Sequence, residues 1–511
     1  MQYPRKRVIK LLRLRTYEAN VNSYSCKCGL DGDTVRRAQA SAEDRGTSIG
    51  IRRSENSLAK VRAVAASGNL STGFPEESLV RAVADGVDFI GCDAGTTDSG
   101  PEYLGSGKPR GPREGVKRNL RLMLWHAMRA GVPVIVGSAG HAGGRPHLQW
   151  TLQIIRELAS ENQWHFKLAS IDSEIEKSVL AKALQGGCIT PLDPAPSLDE
   201  RSIIKAERFV AMMGIEPIQR ALEAGAQVVI AGRCSDVAIY AALPILKGIP
   251  PAIAFHAGKI LECGAASVEQ RKSPDSMAAE LDEDGFTVCP PNPALRCTPQ
   301  SVAAHTLYEN ADPLHLVEPG GALDTTETRY EAVGDRAVRV TGSRFFPAAR
   351  YTVRVEGAAL VGYRSIVVAG IRDPLVLRQL DYFLTSLRSV VERKVFDNLR
   401  LQPGDYSINF RVYGRNGTLA ELEPIGDIGH EVGLVIDVVA HSQELAADIC
   451  PIASHTGLHH PIPEYNGLVS NFAYPFSPGG INVGPVYQFC VNHVWELEDP
   501  CGPFDMKLEE L

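Results

Sequence analysis

Long apolar runs are missing from this sequence. Across 511 residues no stretch of 18 or more apolar residues occurs, so nothing in it reads as a membrane-spanning helix. Clustered positive charge is missing from the body of the chain too. The sequence carries 53 Lys and Arg against 60 Asp and Glu, a net charge of −7, with no basic stripe beyond its first residues. Nucleic acid is thereby excluded as the main partner, because phosphate binding needs grouped cations. The 11 cysteines are scattered, a pattern that fits a reduced cytoplasm better than a disulfide framework. What is present is ordinary: 44% hydrophobic and 22% charged residues, with length enough for two or three cores at about 100–200 residues each.

The first 67 residues differ from the rest. Six cations lie between Arg5 and Arg15, and no acid precedes Glu18. Cys26-Lys27-Cys28 has no second CxC or CxxC to complete a metal site. This stretch is expected to be an irregular basic extension, with a targeting peptide or an oligomer-contact arm as alternatives.

From Gly73 one local plan repeats three times. A helix with a clear apolar face ends at a glycine (Gly86, Gly131 or Gly225), a short β-branched strand follows, and the strand empties into a glycine-rich loop. The strands are expected over 87–92, 132–136 and 227–230, with a less distinct one over 166–171. The pattern predicts an α/β fold, with an N-terminal Rossmann-like parallel sheet domain over 68–325. In such sheets the loops leaving the carboxyl ends of the strands gather at one edge, where ligands bind.

Those loops carry the candidate chemistry. Asp93, Asp98 and Asp236 are short carboxylates at strand ends, suited to general acid–base work or to holding a divalent cation. His141 is a candidate for proton transfer, and Arg233 offers a fixed fork for a carboxylate or phosphate. Gly95, Thr97, Ser138, Gly140, Gly143 and Gly144 supply hydrogen-bond donors for an anionic group or an oxyanion. The plainer alternatives are tight strand-to-helix turns, Asp236 as a helix N-cap and Asp93 as a loop-ordering acceptor. The 137–144 loop is neither a Walker loop nor a clean GxGxxG, and Ser138 lacks a GxSxG elbow, so nucleotide and nucleophilic-serine chemistry lack support. Glu262 stands beside Cys263, and Glu318 opens a further glycine-rich turn; both carboxyls join the substrate-binding candidates.

Beyond residue 326 the period changes from helical to alternating. Tyr351, Val353 and Val355 alternate with polar neighbours, further strands are expected over 337–340, 365–371, 407–413 and 432–439, and helices open at Asp373 and Ser442. This predicts a C-terminal α+β domain over 326–495, with two helices on one side of a sheet and a tail from 496 to 511. His455, His459 and His460 form an HxxxHH cluster, but Gly457 and Pro461 mark a helix end, and no metal site is assigned.

Several segments together are distinctive: Gly73-Phe74-Pro75-Glu76-Glu77-Ser78, Asp93 through Gly105, Gly137-Ser138-Ala139-Gly140, Ala231-Gly232-Arg233-Cys234-Ser235-Asp236, Leu261-Glu262-Cys263-Gly264, Glu318-Pro319-Gly320-Gly321, Val355-Glu356-Gly357 and Phe472 through Pro478. In order, over roughly residues 70 to 495, the chain resembles the acyclic terpene utilisation AtuA family. The resemblance implies a role in catabolism of citronellol- and geraniol-type compounds, which are degraded as branched acyl-CoA esters. The DAGxTDxGP loop marks a subgroup for which small hydroxy- or polycarboxylic acids stay open as substrates.

The expectation is therefore a cytoplasmic lyase or hydratase acting on a branched acyl-CoA or a small carboxylic acid, and forming homo-oligomers. Two alternatives stand beside it. One is a non-catalytic binding or assembly subunit with a companion protein, and the other a divalent-metal enzyme using the loop aspartates. No cofactor is assigned; a coenzyme A thioester as substrate and a divalent metal both stay open.

Overall fold

The parallel strands are short and buried on both faces, which is why they read as continuous apolar runs. In the computed structural model all five residues of Phe89–Asp93 and all four of Val134–Gly137 are buried. The structure describes residues 60–96, 100–464 and 470–511. The Cys26/Cys28 pair, Thr97 and Asp98 lie outside the described residues.

Five strands, Val61–Ala65, Phe89–Asp93, Val134–Gly137, Val228–Ala231 and Lys167–Ile171, lie side by side in that order, all parallel. Helices connect them as the repeats predict. Arg113–Ala130 buries Val116, Leu120, Met123, Leu124 and Ala127, and Gly131 closes it in the left-handed conformation at φ 67°. Each such side chain taken from water contributes on the order of 2 kcal/mol. Val61–Ala65 falls inside the stretch expected to be irregular. It pairs with Phe89–Asp93, and four of its five residues are buried.

The sheet is mixed, where a Rossmann-like parallel sheet was expected. Met277–Leu281, Gly285–Cys289, Ala337–Thr341 and Arg329–Val333 extend it antiparallel beyond Val61–Ala65. Met506–Glu510, within the expected tail, closes the other edge against Lys167–Ile171, giving ten strands. The first three parallel strands follow one another in sequence across the sheet, without the central reversal of a doubly wound fold.

A six-stranded sheet is built on Tyr351–Ile371, a single strand of 21 residues where two shorter ones were expected. Val432–Ala440 and Gly480–Leu497 flank it, both antiparallel. The helices Leu380–Leu399 and Gln443–Leu458 share one core with it, through Phe383, Leu387, Ile449, Ile436 and Val438. The sheet also takes Ile189–Pro191 and Ala206–Ala211 from the first half of the chain. Phe209, Val353, Val355 and Trp495 pack in the same core as Ile171 and Ala231 of the parallel strands. The two layers are thus fused through alternating apolar positions, and the described residues form one compact unit.

Candidate active site

The carboxyl ends of the parallel strands converge on a pocket of about 320 Å³. Three strand-end loops reach it: 68–72 after Val61–Ala65, Asp93 with Gly95 and Thr96 after Phe89–Asp93, and Arg233 with Asp236 after Val228–Ala231. Glu262 and Cys263 enter from the end of helix Pro251–Leu261, and Arg110, Arg271, Tyr308 and Glu309 complete the lining.

Arg233 is the fixed point. Its side chain is 8% exposed, its Nε lies 3.3 Å from Glu356 Oε2, and its guanidinium reaches Asp236 Oδ1 at 3.5 Å. Nη1, the nitrogen that reaches Asp236, also donates to Ser138 Oγ at 3.2 Å and to the Cys234 carbonyl at 3.3 Å. The Arg233 backbone N–H donates to Ser173 Oγ at 2.6 Å. A buried cation so held keeps its charge, and neighbouring carboxylates hold its pKa above the ordinary arginine value against the cost of burial.

Asp93 is 4% exposed, and its Oδ1 accepts the Gly95 N–H at 3.0 Å. The loop-ordering role is therefore real, but the carboxyl also lines the pocket. Burial, followed by the nearby charge of Asp236, pushes Asp93 well above the usual carboxylate range, with Arg233 pulling the other way. Asp236 is raised too, by desolvation on the pocket floor, although its side chain keeps 40% of its surface; Arg233 and then Lys259 oppose that shift. It does not cap a helix: the following helix, Ala238–Leu246, starts from Val237 without a side-chain cap.

Glu262 makes a buried 2.6 Å contact with Lys259 Nζ, and burial pushes its carboxyl up to about 8 in spite of that partner. Glu318 does not line the pocket. It accepts the Ser235 hydroxyl from behind the Arg233–Asp236 loop, and burial pushes it up to about 7.

The 137–144 loop backs the site and does not line the pocket. Some of its backbone donors are used within the fold: Ser138 and Ala139 N–H bond the Gly232 and Ala231 carbonyls at 2.9 and 3.0 Å. His141 and Gly143 N–H bond within the loop, to Ser138 and Ala139. Gly140 packs against His147, and Gly144 precedes helix Arg145–Asn162. Ser138 and Gly143, two of the expected anion donors, thus spend their backbone N–H groups within the fold. At Gly143, with φ +71°, an added Cβ would stand 2.2 Å from the Arg233 nitrogen, so only glycine lets the two loops touch. At Gly95 a Cβ would meet that of Ser138 at 2.5 Å.

His141 is buried, edge-on to the Tyr103 ring at 4.8 Å, and lines a smaller cavity that shares Thr96 and Arg233 with the main pocket. The structure therefore gathers Asp93, Gly95, Arg233, Asp236 and Glu262 at one pocket, with Ser138, His141 and Glu318 around it. His455 and His459 meet ring to ring at 5.6 Å on the other sheet, and His460 bonds Ser386 at 2.7 Å.

Sequence reasoning missed several pocket residues. Asn69, whose Nδ2 donates to the Gly95 carbonyl at 2.7 Å, sat beside the stretch set aside as irregular. Arg110 and Arg271 are exposed residues at the rim without a carboxylate within 4 Å among the described residues. Glu356 was visible as part of the Val355-Glu356-Gly357 motif, but nothing local tied it to Arg233. His305, on helix Pro299–Thr306, carried no signal; burial pushes its imidazole down to about 4, so it stays neutral.

The fold is thus a mixed α/β one, with an acid-lined pocket holding a buried arginine at the carboxyl ends of its parallel strands. The chain belongs to the acyclic terpene utilisation AtuA family: the model described as acyclic terpene utilisation family protein AtuA matches residues 67–462. No curated protein and no solved structure matches the chain. Among the described residues no helix is long and apolar enough to cross a membrane.

Proposed function

We propose that this chain is a lyase- or hydratase-type enzyme of acyclic terpenoid or related acid catabolism, acting on a branched acyl-CoA ester or a small hydroxy- or polycarboxylic acid. The observation that carries this reading is the placing of two carboxyls, Asp93 and Asp236, with one buried arginine in a single pocket. Two neighbouring carboxyls in a poorly hydrated site do not ionise equally. Asp236 faces Arg233 at 3.5 Å and takes the charge, while Asp93 is enclosed and keeps its proton.

That division gives a base and an acid. In a dehydration, Asp236 removes the proton next to the substrate carbonyl and Arg233 stabilises the enolate-like charge. Asp93 then protonates the departing hydroxyl, which leaves as water. Arg110 and Arg271 at the rim suit the carboxylate of a free acid or the phosphates of coenzyme A. A pocket of this size takes the acyl part and leaves a carrier outside.

Calorimetric titration with branched acyl-CoA esters, and separately with hydroxy- and polycarboxylic acids, tests the reading. One class should bind saturably, and the R110A/R271A double variant should weaken it roughly tenfold or more while the melting temperature stays unchanged. No binding by either class, or full affinity in the double variant, contradicts it.

A further inference from the structure

We propose that Glu262, Cys263 and His305 form a three-ligand site for a borderline transition-metal ion, of which zinc is the natural occupant, opening into the same pocket. A carboxylate oxygen, the Cys263 sulfur and a ring nitrogen of His305 all lie within 4.8 Å of one another. Among the described residues this is the one group of His, Cys, Asp and Glu side chains that converges in this way. The loop aspartates Asp93 and Asp236 do not form such a group.

The second observation is independent of that clustering. His305 is 6% exposed, and its Nε2 is buried with no hydrogen-bond partner. A buried imidazole nitrogen left unsatisfied is destabilising unless something takes its lone pair or its proton. A metal ion takes the lone pair. Bonds of about 2.0–2.3 Å to nitrogen, oxygen and sulfur need ligand atoms roughly 3.3–3.7 Å apart in a tetrahedron, so a contraction of about 1 Å assembles the site.

The backbone explains why neighbours in sequence point to one centre. Glu262 caps helix Pro251–Leu261 in helical conformation, and Cys263 continues into the turn at φ −95°, ψ 13°. The two side chains therefore fan around the helix end, and His305 comes in from helix Pro299–Thr306, whose start is fixed by a Thr298–Ser301 capping box. Lys259 holds Glu262 Oε1 at 2.6 Å, the outer-shell contact that orients a ligating carboxylate. Carboxylate and thiolate together neutralise a divalent ion, so the Lys259 ammonium is tolerated. Three protein ligands leave a fourth position, and since Glu262 and Cys263 line the pocket, that position faces substrate space.

The three ligands are distinct from the Asp93–Asp236 pair, and metal binding is read without substrate, so failure of either reading leaves the other standing. The test is titration of the full-length, untagged, chelator-stripped protein with Co²⁺, followed by displacement with Zn²⁺. One Co²⁺ per chain should bind with a sulfur-to-cobalt charge-transfer band. C263S should abolish the band, H305Q should weaken affinity roughly tenfold or more, and C188S, at an exposed cysteine far in sequence, should change nothing. Absence of saturable binding, or a band that survives in C263S, overturns the proposal. Alkylation of Cys263 in the unmutated protein, read by peptide mass spectrometry, covers the case in which C263S does not fold. Saturating Zn²⁺ should protect the thiol, and an unchanged alkylation rate overturns the proposal.

Discussion

Glu318 lies outside the pocket, bonded to Ser235 behind the loop that carries Arg233 and Asp236. Its carboxyl ordinarily ionises near 4.5 and is pushed up to about 7 by burial, the Ser235 hydroxyl acting against that shift. Between those values the folded protein keeps a proton that the unfolded chain has released. Stability from this group is therefore complete below the unfolded pKa and is lost as the pH rises to about 7, an effect of roughly 3 kcal/mol at most. Asp93 is shifted the same way and adds to the decline. The buried neutral histidines His256 and His305 act in the opposite sense, so the group is read by difference: in urea unfolding at pH 5, 6, 7 and 8, E318Q, which mimics the protonated acid, should gain stability relative to the unmutated protein as the pH rises. An E318Q slope equal to that of the unmutated protein contradicts the assignment. At this scale the sequence exposes short polar side chains at strand ends, which is how Asp93, Arg233 and Asp236 are legible. It does not expose partners that arrive from elsewhere: Glu356 meets Arg233 across 123 positions, and Asn69 meets the Gly95 carbonyl across 26. Ser138 and Gly143 were read as donors to a ligand because a glycine-rich loop offers the same pattern whether its N–H groups face a pocket or a neighbouring loop.

At the scale of elements, helical period and apolar runs give the parallel strands to within a residue or two, as Lys167–Ile171 shows against an expectation of 166–171. They fail where pairing decides. Val61–Ala65 is only five residues long with Arg62 inside it, and Met506–Glu510 alternates weakly, so neither stands out from its surroundings. Their status as strands comes from the neighbours they bond. Met506–Glu510 covers the edge of Lys167–Ile171 over five registered pairs, Arg156 bonds Glu509 at 2.8 Å, and Phe504 is buried just before it. Truncation after Cys501 should therefore bare a hydrogen-bonding edge, lower the melting temperature by roughly 5 °C and promote aggregation. Scanning calorimetry and light scattering check this. Unchanged melting and a single unaggregated species would show that the last strand is dispensable.

For the whole molecule, each layer takes strands from both sides of the boundary expected at residue 325. Ala337–Thr341 completes the first sheet, and Ala206–Ala211 joins the second. The pocket profits from the fusion: Arg233 stands on a parallel strand's loop, and the carboxylate that pins its Nε comes from Tyr351–Ile371 of the other sheet. A charge held from two sides stays in place while a substrate carbonyl changes its own. In the proposed reaction Asp93 carries the proton. The direct measurement is untargeted mass spectrometry of a metabolite extract, supplemented with branched acyl-CoA esters and carboxylic acids, after incubation with the unmutated protein or with D93N. The unmutated protein should deplete one acid or acyl-CoA with gain of a product differing by water or by a cleaved fragment. D93N should slow that conversion by roughly a hundredfold or more while melting as the unmutated protein does. Equal conversion by both proteins would contradict it.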